Sequence, residues 1–500
     1  MEKKKVKIGF APTRRETPIL PRQVAVNDKE KIEAKLREWD VDLVGLDWLN
    51  DEGLLYDAID APRVAARFKA EGVDALFTPH CNFGTEAAIA TLAKEVGKPL
   101  LLWGSRDGTP LSDGERLQDT QCGLFATSYA LRRVNAPFTY IVNSPVDSPV
   151  FERGFHLFLG AAAAANAFLG ARIGQVGTRP PGFWTTICDE GDLLERWGIQ
   201  VVPTTLVELG HAVNEKIKED AKELRETVQE FKATADFGTV TDEQIARLAA
   251  VKLALLDFCQ QQKLDALAVY CHHPFRLALG VPQCFVNGIL SDMGIPVGCE
   301  TDLHGVLTSV LAQEAALSTT PTFFADLTIR HPDNDNGELL WHCGNFPPSL
   351  AVDPDARKTR LHYGCPVAGS WEIRGGDITI SRFGGDHGQY SLCMGHARGT
   401  TGPATFGTYV WAEVDNWPKW EEKFIYGPYV HHVAGVHGHL APVLYEACKY
   451  IPGLVPDPIS PDEQEIRAYW RGEDLSVLSG IEIDGSGVWS GPVNRGSTSR

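Results

Sequence analysis

The sequence predicts an α/β protein in which parallel sheets come first and a β-rich region follows. Up to about residue 298, short apolar runs alternate with segments of helical periodicity. That alternation is typical of parallel sheets with helices on both faces. From about residue 350, glycine and alternating polar and apolar residues dominate instead. Such a pattern indicates antiparallel strands.

The first third of the chain supplies predicted strands and helices in strict alternation. The strands cover residues 7–11, 41–46, 75–78 and 99–103, and the helices cover residues 28–39, 62–71 and 85–96. Polar segments rich in glycine, proline or arginine follow three of the strands, at residues 12–16, 79–86 and 104–108. Because ligands bind at the carboxyl ends of parallel strands, these segments are candidate site loops.

A second α/β block and the β-rich region complete the chain. An alanine-rich run at residues 161–168 is too short to span a membrane and indicates a packed helix. Predicted strands then cover residues 171–176, 199–203, 265–270 and 295–298, with helices at 211–234 and 242–262. The β-type runs lie at residues 370–374, 377–382, 389–393 and 405–413, before a last helix at 439–450.

The charge balance and the cysteines limit the possible functions. The 500 residues include 47 Lys and Arg against 65 Asp and Glu, a net charge of −18. This acidity argues against nucleic acid or an anionic membrane as the main partner. The eleven cysteines form no CxxC pair, so neither a disulfide framework nor a thiolate zinc site is predicted. With no secretory signal and no membrane-spanning run, we expect a cytoplasmic protein.

Several common catalytic motifs are absent. The sequence has no P-loop, and no GxGxxG follows the first strand. Neither HExxH nor GxSxG occurs. The usual nucleotide-binding, zinc-protease and serine-hydrolase interpretations are therefore excluded.

Acids and histidines instead cluster in four later segments. They are residues 298–305 (GCETDLHG), 323–327 (FFADL), 340–345 (LWHCGN) and 429–439 (YVHHVAGVHGH). Carboxylates combined with imidazoles suit a divalent cation such as Mn²⁺, Mg²⁺ or Co²⁺. Three or four protein ligands would leave positions open for substrate oxygens.

Each segment also has a structural interpretation. Glu300 could support a helix N-terminus, and Asp326 could pair with Arg330. A histidine such as His342 is often a hydrogen-bonded core residue. Residues 271–274 (CHHP) match the composition of a metal site equally well. Composition and spacing alone leave these alternatives open.

Taken together, the motifs resemble the L-arabinose isomerase and L-fucose isomerase superfamily. Residues 78–86 (TPHCNFGTE) resemble a first-domain segment of the fucose-type enzymes. The metal-binding segments of the superfamily resemble residues 297–302 (VGCETD), 324–327 (FADL), 340–349 (LWHCGNFPPS) and 430–439 (VHHVAGVHGH). The resemblance implies two Rossmann-like α/β domains, at residues 1–168 and 169–320, followed by a β-rich, barrel-like domain at 321–500.

The resemblance also implies metal-dependent aldose–ketose isomerisation. Glu300, Asp326, His342 and His432 would bind Mn²⁺, or another divalent cation such as Co²⁺ or Mg²⁺. Glu300 and Asp326 would also carry the proton between C1 and C2 through a cis-enediol(ate). The enzyme would be a homo-oligomer, a trimer or hexamer, with its sites at subunit interfaces.

Further residues are candidates for binding the sugar. Most of them follow predicted strands, and Glu86 lies in the segment that matches best. For each arginine, a surface ion pair is the alternative explanation. The candidate set is Arg14, His80, Asn82, Glu86, Arg106, Arg179 and His431.

The substrate stays open at this point. Arabinose-type and fucose-type motifs are mixed, so a pentose or 6-deoxyhexose of the L-arabinose, L-fucose or D-arabinose type is the first expectation. The arginine-bearing loops raise an alternative, an anionic hexose such as a sulfonated sugar. A hypothesis from another class is a non-catalytic sugar-binding protein, because two Rossmann-like lobes also build such proteins.

Overall fold

The chain begins with a parallel sheet of five strands, in the order β2-β1-β3-β4-β5. The structure is a computed structural model and describes residues 5–271, 273–362, 365–473, 482–483 and 489–490. The first elements are β1 (Lys7–Phe10), α1 (Arg22–Glu38), β2 (Asp42–Val44), α2 (Ala61–Glu71), β3 (Ala75–His80), α3 (Glu86–Val96), β4 (Leu100–Gly104), α4 (Thr120–Arg133), β5 (Thr139–Tyr140) and α5 (Pro149–Phe168).

Helices cover both faces of this sheet, as the alternating pattern predicts. Phe77 and Leu101 pack in one hydrophobic cluster with side chains of α1 and α5. Their neighbours Leu76 and Leu102 face the other way, into a cluster with α2, α3 and α4. Successive side chains of a strand point to opposite faces. The apolar runs at residues 75–77 of β3 and 100–103 of β4 therefore reflect burial on both sides of the sheet.

The second sheet is also parallel, with four strands in the order β7-β6-β8-β9. A predicted helix over 211–234 is wrong as one element, because Asp220 adopts a left-handed conformation with φ 41° and separates two helices. The elements are β6 (Arg172–Val176), α6 (Glu190–Trp197), β7 (Gln200–Thr204), α7 (Leu206–Glu219), α8 (Lys222–Thr234), α9 (Asp242–Gln262), β8 (Ala266–Val269), α10 (His273–Leu279), α11 (Cys284–Asp292), β9 (Val297–Gly298) and α12 (Leu303–Ala315).

The predicted β-rich C-terminal region is confirmed as a nine-stranded sheet. Its order is β12-β13-β16-β11-β10-β17-β14-β15-β18, and an extra pairing of β15 with β16 joins six strands into a ring. The elements are β10 (Phe323–His331), β11 (Asn334–His342), β12 (Lys358–His362), β13 (Cys365–Glu372), β14 (Asp377–Asp386), β15 (Gln389–Thr400), β16 (Thr408–Glu413), α13 (Trp417–Tyr426), β17 (His432–His437), α14 (Ala441–Ala447), β18 (Leu454–Pro458), α15 (Glu463–Trp470), β19 (Glu482–Ile483) and β20 (Trp489–Ser490).

One hydrophobic core connects all three segments of the chain. Phe77, Ile173, Leu303 and Phe383 belong to the same cluster of buried side chains. The alanine-rich run lies at its centre, in α5, where residues 161–165 are buried. The domain boundaries at 168/169 and 320/321 stay predictions. No helix among the described residues is long and apolar enough to cross a membrane.

Two features of the topology bring candidate residues together. Strands β8 and β9 are parallel neighbours, so the segments that follow them leave the same edge of the second sheet. In the C-terminal sheet, Asp326 pairs with His432 across β10 and β17, and with Trp341 across β10 and β11. The candidate site lies where the loops after β8 and β9 of the second sheet meet strands β10, β11 and β17 of the C-terminal sheet.

Candidate metal and active site

Glu300, Asp326, His342 and His432 lie side by side. Glu300 Oε2 is 3.6 Å from His342 Nε2 and 3.8 Å from His432 Nε2. Asp326 Oδ1 is 3.5 Å from His432 Nε2. These separations are close to those of ligand atoms that each lie about 2.0–2.2 Å from a shared cation. The structure therefore brings the four predicted ligands to one place.

The loop after β9 holds Glu300 in an unusual backbone conformation. Glu300 and Thr301 both have positive φ angles, 54° and 52°, which non-glycine residues rarely adopt. The Thr301 amide donates to Val269 O at 3.2 Å, which ties the loop to β8. Cys271 Sγ donates to Glu300 Oε1 at 3.0 Å. The two carboxylate oxygens of Glu300 thus face different neighbours.

His432 is oriented by a buried acid that the sequence analysis did not single out. Its Nδ1 donates to Asp302 Oδ2 at 2.8 Å, so the lone pair of a neutral ring lies on Nε2, toward Glu300 and Asp326. Arg382 pairs with both oxygens of Asp302, and Asp302 also caps α12 by accepting from the Gly305 amide at 2.9 Å. A carboxylate that accepts a hydrogen bond from one ring nitrogen commonly orients a histidine whose other ring nitrogen binds a metal.

The charge on Asp302 is well stabilised. Burial opposes ionisation, but Arg382 and His432 outweigh it and hold the pKa of Asp302 well below its usual range. Asp302 lies two residues after Glu300 in the same sequence motif. That position is the sequence signal that could have identified Asp302 as a site residue. Arg382 lies 80 residues further along the chain, in a β-strand with no motif of its own.

His342 differs from His432 in its hydrogen bonding. Its Nδ1 accepts from the Cys343 amide at 2.8 Å. Burial lowers the pKa of His342, but Asp326, Cys343 and Glu300 outweigh it and hold that pKa well above its usual value. A cation-binding His342 would give up the Cys343 hydrogen bond and the proton on Nε2.

Unpartnered polar atoms support a bound cation at this cluster. His342 Nε2 and Asp326 Oδ1 are both buried without a hydrogen-bond partner. Leaving such atoms unsatisfied is unfavourable. A divalent cation among Asp326, Glu300 and the two imidazoles would satisfy Asp326 Oδ1 directly, and His342 Nε2 once that nitrogen has lost its proton. The donor set suits Mn²⁺, Co²⁺ or Mg²⁺.

His431 lies next to the cluster. One of its ring nitrogens is within 4.8 Å of ligand atoms of both Asp326 and His432. Burial and the neighbouring His432 lower the pKa of His431. The ring also lines a cavity of about 300 Å³ beside β10 and α13. Of the predicted sugar-binding residues, His431 is the one that the structure places beside Asp326.

The other predicted sugar-binding residues lie elsewhere. Arg14 forms a buried ion pair with Glu52 at 2.5 Å, and Glu86 pairs with Arg15. His80 Nε2 lies 2.8 Å from Thr127 Oγ1, and Asn82 Oδ1 accepts from the Arg15 amide. These contacts stay within the first 127 residues. Arg14 forms an ion pair, but the pair is buried and is not the surface ion pair given as the alternative. Arg106 and Arg179 are exposed.

The edge of the first sheet has unsatisfied polar atoms of its own. Asn82 Nδ2 and Thr120 Oγ1 are buried without a hydrogen-bond partner. His80 is fully buried, and that burial lowers its pKa to about 4. A neutral imidazole beside free amide and hydroxyl groups suits a polar ligand such as a sugar.

Comparison with known proteins identifies related enzymes. Residues 9–169 match a family model described as fucose/sulfoquinovose isomerase, N-terminal domain. A sulfoquinovose isomerase of Priestia aryabhattai is 25% identical over 383 residues, which cover 76% of this chain and 84% of that protein. A sulfoquinovose isomerase of Alkalicoccus urumqiensis is 24% identical over 64% of this chain and 71% of that protein.

A third relative and one solved structure extend the comparison. A sulfoquinovose isomerase of Clostridium sp. is 27% identical over 57% of this chain and 63% of that protein. A periplasmic solute-binding protein from Actinobacillus succinogenes with bound D-allose matches with a TM-score of 0.16 at 15% identity, covering 62% of this chain and 92% of that one. A TM-score this low is not evidence of a shared fold.

Proposed function

The chain belongs to the L-fucose isomerase-like superfamily, and on that premise we propose that it is an aldose–ketose isomerase of a 6-sulfonated hexose of the sulfoquinovose type. The names of the curated relatives favour this anionic substrate over the pentose or 6-deoxyhexose that the motifs alone predict. The observation that carries the chemistry is the convergence of Glu300, Asp326, His342 and His432 around one point.

Glu300, Asp326 and His432 would hold a divalent cation, with His342 as the fourth ligand. When bound, the cation would polarise the O1 and O2 atoms of the sugar and make the C2 proton more acidic. Asp302 keeps the proton of His432 on Nδ1, away from the cluster. The partly exposed Asp326 and the exposed His431 lie on the side that a sugar can reach.

The two carboxylates are the proposed proton carriers. An aldose becomes a ketose when a proton leaves C2, a cis-enediol(ate) forms, a proton is returned to C1, and the hydroxyl proton passes from O2 to O1. Glu300 and Asp326 both face His432 Nε2, so either oxygen lies next to the point where O1 and O2 would be held. The carboxylate that is not carrying the proton would stay bound to a cation held at this cluster.

Recognition of the sulfonate needs cations that are not already paired. Glu52 neutralises Arg14, and Glu86 neutralises Arg15, which leaves the exposed Arg106 and Arg179 as the better candidates. We propose that these arginines, with the partly exposed Glu86, complete the site of a second copy of the chain, while the buried His80 and Asn82 hold the loop that carries Glu86. The proposal thus includes the homo-oligomer that the family resemblance implies.

An assay of the purified chain tests this function. Sulfoquinovose, glucose, L-fucose and L-arabinose are each incubated with Mn²⁺, Co²⁺ or Mg²⁺, or with EDTA, and ketose formation is followed by NMR. We expect metal-dependent ketose from sulfoquinovose and little from the neutral sugars. In D₂O, deuterium should enter the product at the carbon that receives the proton.

Variants connect the activity to the cluster. Glu300→Gln and Asp326→Asn each remove a proposed proton carrier, so kcat should fall by about 10²–10⁴-fold. Glu422→Gln changes an exposed carboxylate on α13 that does not line the cavity beside His431, and it should leave kcat unchanged. Metal-dependent turnover of a neutral sugar with none of sulfoquinovose would contradict the proposed substrate. Sugar binding without any product would support the non-catalytic alternative.

A further inference from the structure

Two cysteines and Glu300 form a compact group behind the site. Cys271 Sγ, Cys299 Sγ and a carboxylate oxygen of Glu300 lie within 4.8 Å of one another. Cys271 follows β8 and Cys299 follows β9, and these strands are parallel neighbours with Ala268 opposite Gly298. The shared edge brings together two thiols that are 28 residues apart in the sequence.

Buried amides surround Cys299. Asn287 Nδ2 and Asn345 Nδ2 donate to Cys299 Sγ at 3.7 Å and 3.5 Å, and such donors stabilise negative charge on sulphur. The Oδ1 atoms of both asparagines are buried without a partner. Gln283, one helical turn before Asn287, is fully buried with both of its amide atoms unpartnered. This polar environment has no role in the proposed isomerisation.

We propose that Cys271, Cys299 and Glu300 bind a thiophilic divalent cation such as Zn²⁺ or Cd²⁺. Thiolates prefer such ions over Mn²⁺ or Mg²⁺, and three protein ligands leave a position open for water. Two sulphur atoms that each lie about 2.3 Å from a tetrahedral Zn²⁺ are about 3.8 Å apart, which is compatible with a separation of at most 4.8 Å. This site lies on the Oε1 side of Glu300, whereas the isomerase cluster lies on the Oε2 side.

The binding step balances in charge and protons. Cys271 and Cys299 each release one proton to solvent, and Glu300 binds as its carboxylate. The divalent cation with two thiolates and one carboxylate then has a net charge of −1. The cation replaces the Cys271 proton that Glu300 Oε1 accepts in the metal-free arrangement.

A soft cation at this site would compete with the isomerase cation for Glu300. This consequence, unlike the site itself, rests on the proposed function. Oε1 would be drawn toward the two sulphur atoms, and Oε2 would turn away from His342 and His432. We therefore expect Cd²⁺ to weaken the binding of Mn²⁺.

A cadmium titration of the full chain tests the site without relying on activity. The thiolate-to-cadmium charge-transfer absorption and native mass spectrometry report the metal and its ligands. We expect saturation at one Cd²⁺ per chain. Since loss of even an outer partner lowers metal affinity about 10–100-fold, Cys271→Ser and Cys299→Ala should each weaken Cd²⁺ binding at least about tenfold.

Controls separate this site from other thiols and from the proposed function. Cys122→Ser removes an exposed cysteine of α4 and should leave the titration unchanged. Cys271 is half-buried, so its serine variant should keep the wild-type circular dichroism. Unchanged Cd²⁺ affinity and absorption in both Cys271→Ser and Cys299→Ala would overturn the proposal. Electron paramagnetic resonance shows separately whether Mn²⁺ binds before Cd²⁺ is added, and its failure to bind would contradict only the proposed function.

Discussion

At the scale of single residues, the two histidines of the cluster show that neighbours decide what a side chain can do. His432 donates a hydrogen bond from Nδ1 to Asp302, which leaves the lone pair of Nε2 free to bind a cation. His342 accepts at Nδ1 from the Cys343 amide. Both are buried imidazoles a few ångströms from Glu300, yet only His432 has the tautomer of a metal ligand. The difference comes from one buried carboxylate.

Asp302→Asn tests this orienting role. The variant removes the negative charge behind His432, so Mn²⁺ affinity should fall about 10–100-fold. It also leaves the buried Arg382 without its counter-charge, which should lower the free energy of unfolding by about 3–5 kcal/mol. Isothermal titration calorimetry with Mn²⁺ and urea unfolding measure the two effects.

Asp377→Asn is a matched control for that variant. Asp377 pairs with His439 Nε2 at 3.0 Å in the same C-terminal region, outside the cluster around Glu300. Its loss should leave Mn²⁺ affinity unchanged. Wild-type Mn²⁺ affinity in a folded Asp302→Asn protein would show that His432 does not depend on Asp302.

At the scale of elements, close helix packing explains the alanine-rich segment. Gly160 lies in α5, and a Cβ added there would be 2.6 Å from Ala315 O at the end of α12 and 2.9 Å from Val443 of α14. Small side chains from 160 to 165 let these helices approach closely. The alanine-rich run of α5 is therefore a surface that packs against α12 and α14 in the core.

Gly160→Ala should destabilise the protein by about 1–3 kcal/mol, because backbone atoms would have to move to accept the methyl group. Gly191→Ala provides the contrast, since Gly191 is exposed in α6 and meets only the Asp189 side chain at 3.3 Å. There the effect should stay within about 0.5 kcal/mol, because Gly191 lies in the exposed first turn of α6 and the methyl group would meet no backbone atom. Urea midpoints compare the two, and equal shifts would refute the packing argument.

At the scale of the whole molecule, residues 446–450 of the C-terminal region are hydrogen-bonded to the first sheet. Tyr450 Oη lies 2.6 Å from Thr139 Oγ1 and donates to Leu100 O at 3.1 Å. Thr139 also donates to Glu446 Oε1 at 2.7 Å. Since these buried bonds and one hydrophobic cluster join the three segments, we expect the described regions to unfold cooperatively.

Tyr450→Phe removes the shared hydroxyl and should lower the free energy of unfolding by about 1–3 kcal/mol. Tyr426→Phe changes an 84% exposed tyrosine and should have an effect within about 0.5 kcal/mol. Urea unfolding followed by tryptophan fluorescence and by circular dichroism should give one coincident transition in each protein. A separate early transition in Tyr450→Phe would show that the N-terminal sheet unfolds on its own.

The sequence by itself determined the order of the sheets and the residue types of the cluster, because both depend on short-range patterns. Alternating strands and helices are visible within windows of ten to twenty residues, and each ligand lies in its own short motif. It also predicted arginines around the sugar, but Arg14 is already paired with Glu52, which lies 38 residues away. The helix predicted over 211–234 was interrupted by the backbone of Asp220.

Only the tertiary structure decided which side chains support the ligands. His432 lies 130 residues from Asp302, and Asp302 lies 80 residues from Arg382. Cys271 and Cys299 meet because two parallel strands end at the same edge, although their spacing matches no thiolate motif. Proton positions, buried charges and metal preferences depend on such distant contacts, and no local pattern of residues records them.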